Sequence, residues 1–533
     1  MTDFHPNPQQ LAIAEWIRTG TGNAIIGAVA GSGKTSTLVR VVAPLVTDAV
    51  FCAFNRHIAD ELAERLRGTD VRVQTIHSLG MAGVRKRHRN TRVEAGKYRS
   101  QIDRIVRMVR EDAGLYEWIR EYSSGDPKRS AVYGLQDSLG ACEDTPVRAY
   151  ERLASLCRTT LTDPRDREAL RALDAKFSLD IEAGLWPIVD ATIVPLLRWG
   201  IITAATEIDF DDMVWLPNYA EGMTPDRYGW VMVDECQDLN AAQRGVVGLA
   251  LRPGGRLLAV GDARQAVYGF SGADSDSFER IRTTFDAEVF PLSVCYRCPS
   301  SHLDMAREIV PQIEARPGAP VGDVGALAWE DVTGWVKPGD LVICRVTAPL
   351  IGLCYSLILS GVRATVRGRD IGVGLKSIIR QVSKRKRFAW PGFGDAVDAW
   401  WSRERAKLRA KGVSGDDDAM VRLNDRAESL LVIYRHAVAR GVSSVDGLMA
   451  EIDRLFSDDG DGSLVVLSTV HRAKGLEADR VMIVDEHLMP HPCAKVPWQV
   501  EQEWNLRYVA LTRAKAELRF AFTPSKSSKQ AAA

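Results

Sequence analysis

The sequence predicts an α/β protein with two parallel-sheet domains in tandem, each interrupted by a mainly helical insertion. Three observations predict it. The apolar run Ala24-Ile25-Ile26 leads into AVAGSGKT, Ala28 to Thr35, and on into Ser36-Thr37-Leu38-Val39, which reads as a strand, a glycine-rich turn and a helix start. Short apolar runs with short connections follow, and strand, helix, strand in that rhythm gives right-handed βαβ units and a parallel sheet. A second series of such runs begins near Gly322.

The chain of 533 residues is too long for one ordinary domain and suggests two to four. With 46% apolar and 26% charged residues it has ample material for buried cores. Lys+Arg and Asp+Glu are both 69, so any nucleic-acid site must be a local groove, because bulk charge attracts nothing. The nine cysteines are scattered. Their one close pair, Cys295-x-x-Cys298, lacks a second pair to make a structural metal cluster, so they read as reduced thiols. The N-terminus has no signal-peptide core and no uninterrupted apolar run approaches membrane-spanning length. A cytoplasmic protein without a membrane partner is expected.

Asn7-Pro8-Gln9-Gln10 opens the first helix with a cap residue and a proline, and Gln10 stands where an amide can read an adenine edge. In AVAGSGKT, Gly31 and Gly33 let the backbone turn its N–H groups inward toward a phosphate, and a helix begins with its positive end at the same point. Lys34 can then reach β- and γ-phosphates and the Thr35 hydroxyl can ligate Mg²⁺. The usual pattern has glycine where this chain has Ala28; a plain Gly/Ser turn is the competing explanation, against which stand the strand before, GKT at the end and the helix after. A second strand follows at Val50–Phe54 and a third at Val71–Thr75, the latter ending in Ile76-His77-Ser78. Phe54, Thr75 and His77 therefore lie at strand C-terminal ends, the edge where such sheets bind ligands.

From Arg85 to about Thr206 helical periodicity replaces the strands, beginning with the basic run Arg85-Lys86-Arg87-His88-Arg89. The parallel rhythm returns at Trp230-Val231-Met232-Val233, which delivers the adjacent acids Asp234 and Glu235. Beside a phosphate loop, Asp234 can hold Mg²⁺ and Glu235 can orient and deprotonate an attacking water. Arg256–Val260 ends in Gly261-Asp262-Ala263-Arg264-Gln265. Gln265 has the chemistry to sense a γ-phosphate, and Tyr268 and Phe270 just beyond it to stack bases, although aromatics so placed more often serve a core. Tyr296-Arg297 follows, a tyrosine able to stack on adenine and an arginine able to stabilise charge on a γ-phosphoryl group.

The second sheet is expected to use Leu341–Cys344, Ala364–Val366, Leu464–Leu467, Val481–Val484 and Leu518–Ala521. Between the second and third lies an insertion with the basic-aromatic cluster Lys384 to Trp390, which reads equally as a DNA contact or an exposed helix end. Two further conspicuous stretches are Ser468-Thr469-Val470-His471-Arg472-Ala473-Lys474-Gly475-Leu476-Glu477 and Tyr508-Val509-Ala510-Leu511-Thr512-Arg513-Ala514-Lys515. One sheet with a phosphate loop and a second without one, but with arginines, is the layout expected if ATP sits in a cleft between two lobes and hydrolysis drives a stroke.

The ordered series AVAGSGKT, CAFNRHIA, TIHS, VDECQD, VGDARQAVYGFSGA, CYRC, STVHRAKGLE and YVALTRAK resembles the motif series of superfamily 1 (SF1A) DNA helicases of the UvrD/Rep/PcrA type, from Asn7 to Lys515. The resemblance implies two RecA-like parallel-sheet domains: residues 1–84 and 207–300 the first (1A), 85–206 a 1B-like helical insertion, 301–371 and 461–523 the second (2A), 372–460 a short 2B-like insertion, and 524–533 a disordered tail. It implies that Gln10 recognises adenine and Tyr296 stacks on it. Ala30, Gly31, Ser32, Gly33, Lys34, Thr35 and Ser36 would cradle the phosphates, with Mg²⁺ on Thr35 and Asp234. Glu235 would be the catalytic base, Gln265 would couple the γ-phosphate to the DNA site, Arg297 and Arg513 would be two arginine fingers, and Glu477, near Gly475, a contact to the nucleotide sugar. Phe54, Thr75, His77, Tyr268, Phe270, Thr469 and His471 match positions lining a single-stranded DNA track.

The implied activity is ATP-dependent translocation on single-stranded DNA with unwinding at single-strand/duplex junctions, of 3′-to-5′ polarity by resemblance alone. Replication, repair or recombination proteins stand open as partners. Ser271 follows Phe270 where the family usually has an arginine, and the second insertion is short. The alternative is therefore an ATP-gated translocase that displaces proteins or recruits partners with little unwinding of its own.

Overall fold

The first helix, Pro8–Thr19, starts where expected, and for a reciprocal reason: Asn7 accepts the Gln10 amide N–H while the Gln10 side chain accepts the Asn7 N–H. The computed structural model describes residues 4–53, 55–123, 132, 134–140, 147–177, 179, 181–267, 276–385, 388–410, 418–456, 464–492, 494–495 and 497–524. The tail from residue 525 thus lies outside the described residues. The chain divides into two units, one of Met1–Ala28, Lys34–Ala263 and Tyr268–Leu292, the other of Val29–Gly33, Arg264–Val267 and Ser293–Ala533.

The first unit is built on six parallel strands: β1 (Asn23–Ala28), β2 (Ala49–Ala53), β3 (Val71–Thr75), β4 (Tyr228–Val233), β5 (Leu251–Gly261) and β6 (Ala287–Leu292), in the order β3-β2-β4-β5-β1-β6. Sequence reading missed β6 as a strand because Pro291 interrupts it. The strand lies at the sheet edge, where a missing N–H costs no ladder bond. Interior β2 is buried at every residue, as a strand covered on both faces must be. One face packs on Ile13, Ile17, Leu38 and Leu62, the other on Ile76, Val246 and Ile281.

Between β3 and β4 the helices Lys97–Glu111, Val147–Thr159 and Trp186–Ile202 form a separate apolar core around Ile102, Ile105, Leu153, Ile188, Ile193 and Leu196. Residues Ala183–Ala205 form a helical stretch long and apolar enough to cross a membrane, which the sequence reading did not anticipate. Burial of Ile188, Val189, Ile193, Leu196, Leu197 and Trp199 against its neighbours accounts for much of the apolarity. The helix Phe210–Tyr219 crosses Ile76–Arg87 so closely that a Cβ on Gly80 would lie 2.1 Å from the Met213 carbonyl oxygen. At the start of Phe210–Tyr219, Arg158, Lys97, Asp209 and Asp212 form a buried ion cluster, with Lys97 Nζ 2.8 Å from Asp212 and Arg158 Nη1 2.7 Å from Asp209.

The second unit has its own six parallel strands: β7 (Asp323–Leu327), β8 (Leu341–Cys344), β9 (Ala364–Val366), β10 (Val465–Thr469), β11 (Ala478–Val484) and β12 (Ala514–Ala521), in the order β7-β12-β11-β8-β10-β9. β7, half-exposed and short, was not foreseen. The helices Arg369–Ser383, Phe393–Ala410, Asp418–Ala439 and Val445–Leu455 lie between β9 and β10 and share one core with Ala348–Leu359. The aromatic half of the Lys384–Trp390 cluster belongs to that core. Phe388 packs edge-on against Phe393 and Trp390 against Tyr434, so their apolar rings are spent on packing.

Candidate functional site

In the first unit, β1 leads through the loop into the helix Lys34–Thr37, and β4 ends at Asp234 and Glu235. Lys34 Nζ lies 3.0 Å from Glu235 Oε1, and Thr35 Oγ1 lies 3.1 Å from Asp234 Oδ2. Glu235 reaches this position through a left-handed backbone, φ 52°, costly for a non-glycine residue and characteristic of a site that must aim a side chain. Its N–H donates to Asp234 Oδ1 at 2.9 Å, and Gln237 Nε2 donates to Glu235 Oε2 at 2.5 Å. Gln237 in turn accepts the Asp262 N–H at 3.1 Å, so the base is held by an amide fixed to the end of β5. Gln237 was not singled out from sequence; its place two residues past Glu235 was the available signal.

The electrostatics follow from crowding charges out of water. Burial and the neighbouring Glu235 push the Asp234 carboxyl up to about 6. Burial opposes the Lys34 charge, but Glu235, Asp262 and Asp234 outweigh it and hold the ammonium above its ordinary range. Three acids around one lysine and a threonine hydroxyl are an oxygen-rich set that fits a Mg²⁺ carried on phosphates. Gln10 is buried and donates to Thr37 Oγ1 at 2.8 Å, in addition to its capping bond. Its amide is thus already engaged on both atoms.

In the second unit, Gly31 and Gly33 take φ 67° and 79°, as the cradle requires. A Cβ at Gly31 would stand 2.7 Å from Arg297 Cβ and 2.9 Å from Cys295 Sγ. The Ser32 hydroxyl is buried without a hydrogen-bond partner, which fits a loop shaped for an anion. The Ala30 N–H donates to the Tyr508 hydroxyl at 2.7 Å and the Tyr296 N–H to the Gly31 carbonyl at 2.8 Å, while Tyr296 is 43% exposed. Arg297 Nε donates to Glu477 Oε2 at 2.6 Å, and Lys515 Nζ lies 2.7 Å from Glu477 Oε1. Burial works to raise the Glu477 pKa, but Lys515 and Arg297 prevail and hold it below the usual range.

Arg513 is 1% exposed and donates to the carbonyls of Val509 and Leu476 and to the Thr512 hydroxyl. Among the described residues no carboxylate lies within ion-pair distance of it, and burial together with Arg297 pushes it down to about 10. Cys295 and Cys298 flank Tyr296-Arg297. A hydrogen bond from Cys298 lowers the Cys295 thiol to about 6 although burial opposes it. Gln265, buried in the turn Ala263–Gln265, offers its carbonyl to Lys474 Nζ at 2.6 Å.

Of the residues matched to a DNA track, Thr75 caps the helix Ile76–Arg87 by accepting the Ser78 N–H at 3.1 Å, and His77 lies half-buried in its first turn. Thr469 ends β10, and His471 follows in Val470–Ala473. Phe54, Tyr268 and Phe270, with Ser271, lie outside the described residues. Sequence reading also missed a cavity of about 710 Å³ in the second unit, where Val346, Asp485 and Thr523 follow β8, β11 and β12 and face Asp425, Arg435 and His491. Its walls come from five separate stretches, which no local pattern connects. Phe210, 58% exposed at the start of its helix, is a further aromatic that periodicity assigned to no role.

The family model described as the UvrD/REP helicase N-terminal domain matches residues 7–286, and that of the UvrD-like helicase C-terminal domain matches residues 436–525. The chain is similar to the ATP-dependent DNA helicase UvrD2 of Mycobacterium tuberculosis, 24% identical over 95% of this chain and 77% of the relative. It is 20% identical to DNA helicase II of Haemophilus influenzae, over 96% and 83% of the two chains. With the ATP-dependent DNA helicase PcrA of Leuconostoc citreum it shares 25% identity over 56% of this chain and 38% of the relative.

Proposed function

The chain belongs to the UvrD/REP helicase family, and from that premise we propose that it moves 3′-to-5′ along single-stranded DNA, hydrolysing Mg²⁺-bound ATP, and separates strands at single-strand/duplex junctions. It is an ATP-hydrolysing DNA helicase. The observation that carries the mechanism is the pairing of Lys34 with Glu235 beside that of Thr35 with Asp234. In this arrangement Lys34 neutralises the base. Once phosphate oxygens take the ammonium, Glu235, held in place by the Gln237 amide, can draw a proton from the attacking water. Mg²⁺, held by the Thr35 hydroxyl and the Asp234 carboxylate, would neutralise charge on the phosphates.

Arg513, buried and lacking a carboxylate within reach among the described residues, is the better preset of the two arginine fingers; Arg297 must first exchange Glu477 for phosphate. Tyr296 offers its exposed ring to adenine, and Gln10 reads the base edge after giving up an internal bond. Thr75, His77, Thr469 and His471, and by their place in the motif series Phe54, Tyr268 and Phe270, would contact the single strand. Repair and replication are the settings such helicases suit. The described cysteines are free thiols, which supports a cytoplasmic, reducing setting. The alternative of a translocase with little unwinding draws on the insertion between β9 and β10, whose helices are committed to a shared core.

Two measurements test both readings. Steady-state ATPase with and without single-stranded DNA is expected to show strong stimulation, and loss of about 10³-fold or more in Lys34→Ala, Glu235→Gln and Arg513→Lys. Strand displacement on 3′-tailed and 5′-tailed duplexes should proceed only from the 3′ tail. Stimulation by RNA but not DNA would overturn the proposal; DNA stimulation without displacement selects the alternative.

A further inference from the structure

One helix of the second unit, Pro497–Leu511, touches both the phosphate loop and the segment that carries Gln265. Its Tyr508 hydroxyl accepts the Ala30 N–H of the phosphate loop at 2.7 Å. One to two turns earlier, Asn505 Nδ2 donates to the Ala266 carbonyl at 3.2 Å and Gln502 Nε2 to the Val267 carbonyl at 2.8 Å, while Glu501 pairs with Arg264 at 3.0 Å. The helix then ends at Leu511, directly before Thr512 and Arg513. Val29–Gly33 and Arg264–Val267 are also the two short segments that leave their neighbours in sequence to join this unit.

We propose that Tyr508, Gln502 and Asn505 are positioning residues that fasten the phosphate loop and the Gln265–Val267 segment to one helix, so that a shift of either is felt by the other and by Arg513. The physical case rests on burial and valence. Tyr508 is fully buried, and so is Ala30, whose N–H would be left unpaired without the phenol at a cost of about 1–3 kcal/mol. The bonds to Ala266 and Val267 use their carbonyl oxygens, so they hold the backbone whatever the side chains do. The segment so held leads directly to Tyr268 and Phe270, matched to the DNA track, and the loop leads directly to Lys34. The helix thereby ties what grips DNA to what grips phosphate. This rests on the helicase reading above.

Tyr508→Phe deletes one hydroxyl and keeps the ring, and Gln502→Ala removes the bond at the other end of the helix. In the full chain, each is expected to lower the DNA-stimulated ATPase rate about fivefold or more beyond any fall in the unstimulated rate, the scale of an ordinary coupling between sites. The double variant should lose little more than either single one, because both cut the same tie. A merely structural role would depress both rates in proportion and lower Tm. Should Tyr508→Phe fail to fold, Gln502→Ala combined with Asn505→Ala carries the same expectation. A stimulation ratio equal to wild type in folded variants overturns the inference. Absence of stimulation in the wild-type chain would overturn the helicase reading instead.

Discussion

Arg513 and His471 show what burial does to a cation and to a group that can decline to become one. Arg513 keeps its charge on two carbonyls and a hydroxyl, an arrangement that leaves it in want of an anion. His471 takes the other course: burial, then the charges of Arg345, Arg422 and Arg472, drive its pKa well below the ordinary histidine value, so it stays neutral, and in the DNA-contacting role proposed for it would act as a hydrogen-bonding ring rather than as a cation. The unfolded chain protonates this histidine at about pH 6.5, whereas the folded chain resists, so the unfolded state binds more protons below that pH. Its contribution to stability is complete above about pH 6.5 and is lost on acidification toward the folded pKa. His77, also depressed mainly by burial, acts in the same direction. His471→Gln is expected to lessen the fall in Tm between about pH 6.5 and 5; thermal melts across that range check it, and an unchanged slope would assign the fall to other groups.

At the scale of elements, strands were the most legible feature and contacts between helices the least. Runs such as Ala49–Ala53, buried at every position, announce themselves by composition, while β6 and β7, broken by a proline or half-exposed, do not. AVAGSGKT and VDECQD displayed their chemistry because the phosphate loop and the acidic strand end are contiguous in sequence. Gln237, Tyr508 and the cavity walls were invisible because their partners lie far along the chain. The same holds for Gly80, which sequence reading passed over inside an ordinary helix. A Cβ there would meet the Met213 carbonyl at 2.1 Å, and backbone cannot retreat as a flexible side-chain end can. Gly80→Ala should therefore destabilise the chain by about 1–3 kcal/mol and displace the helix that begins with Ile76 and His77. Chemical denaturation measures the first effect and single-stranded DNA affinity the second. A variant as stable as wild type would mean that the two helices can separate without loss.

At the scale of the whole molecule, each unit carries part of the motif series, Lys34, Thr35, Asp234 and Glu235 in one and Arg297, Glu477 and Arg513 in the other. The charges of the chain cancel, so DNA gains no general attraction, and affinity must come from the local track. A motor of this kind works only if the nucleotide changes how tightly the track holds, and thermodynamics makes that influence mutual. If saturating single-stranded DNA tightens binding of a non-hydrolysable ATP analogue by some factor, the analogue must alter DNA affinity by the same factor; a range of about 5- to 150-fold is ordinary for coupled sites. Calorimetry of the analogue with and without a short oligonucleotide, set beside anisotropy of the oligonucleotide with and without the analogue, closes the cycle. Equal factors well above one are expected in the wild-type chain, shrinking toward one in Gln502→Ala. Factors of one in both directions in the wild-type chain would mean that hydrolysis here drives no movement along DNA.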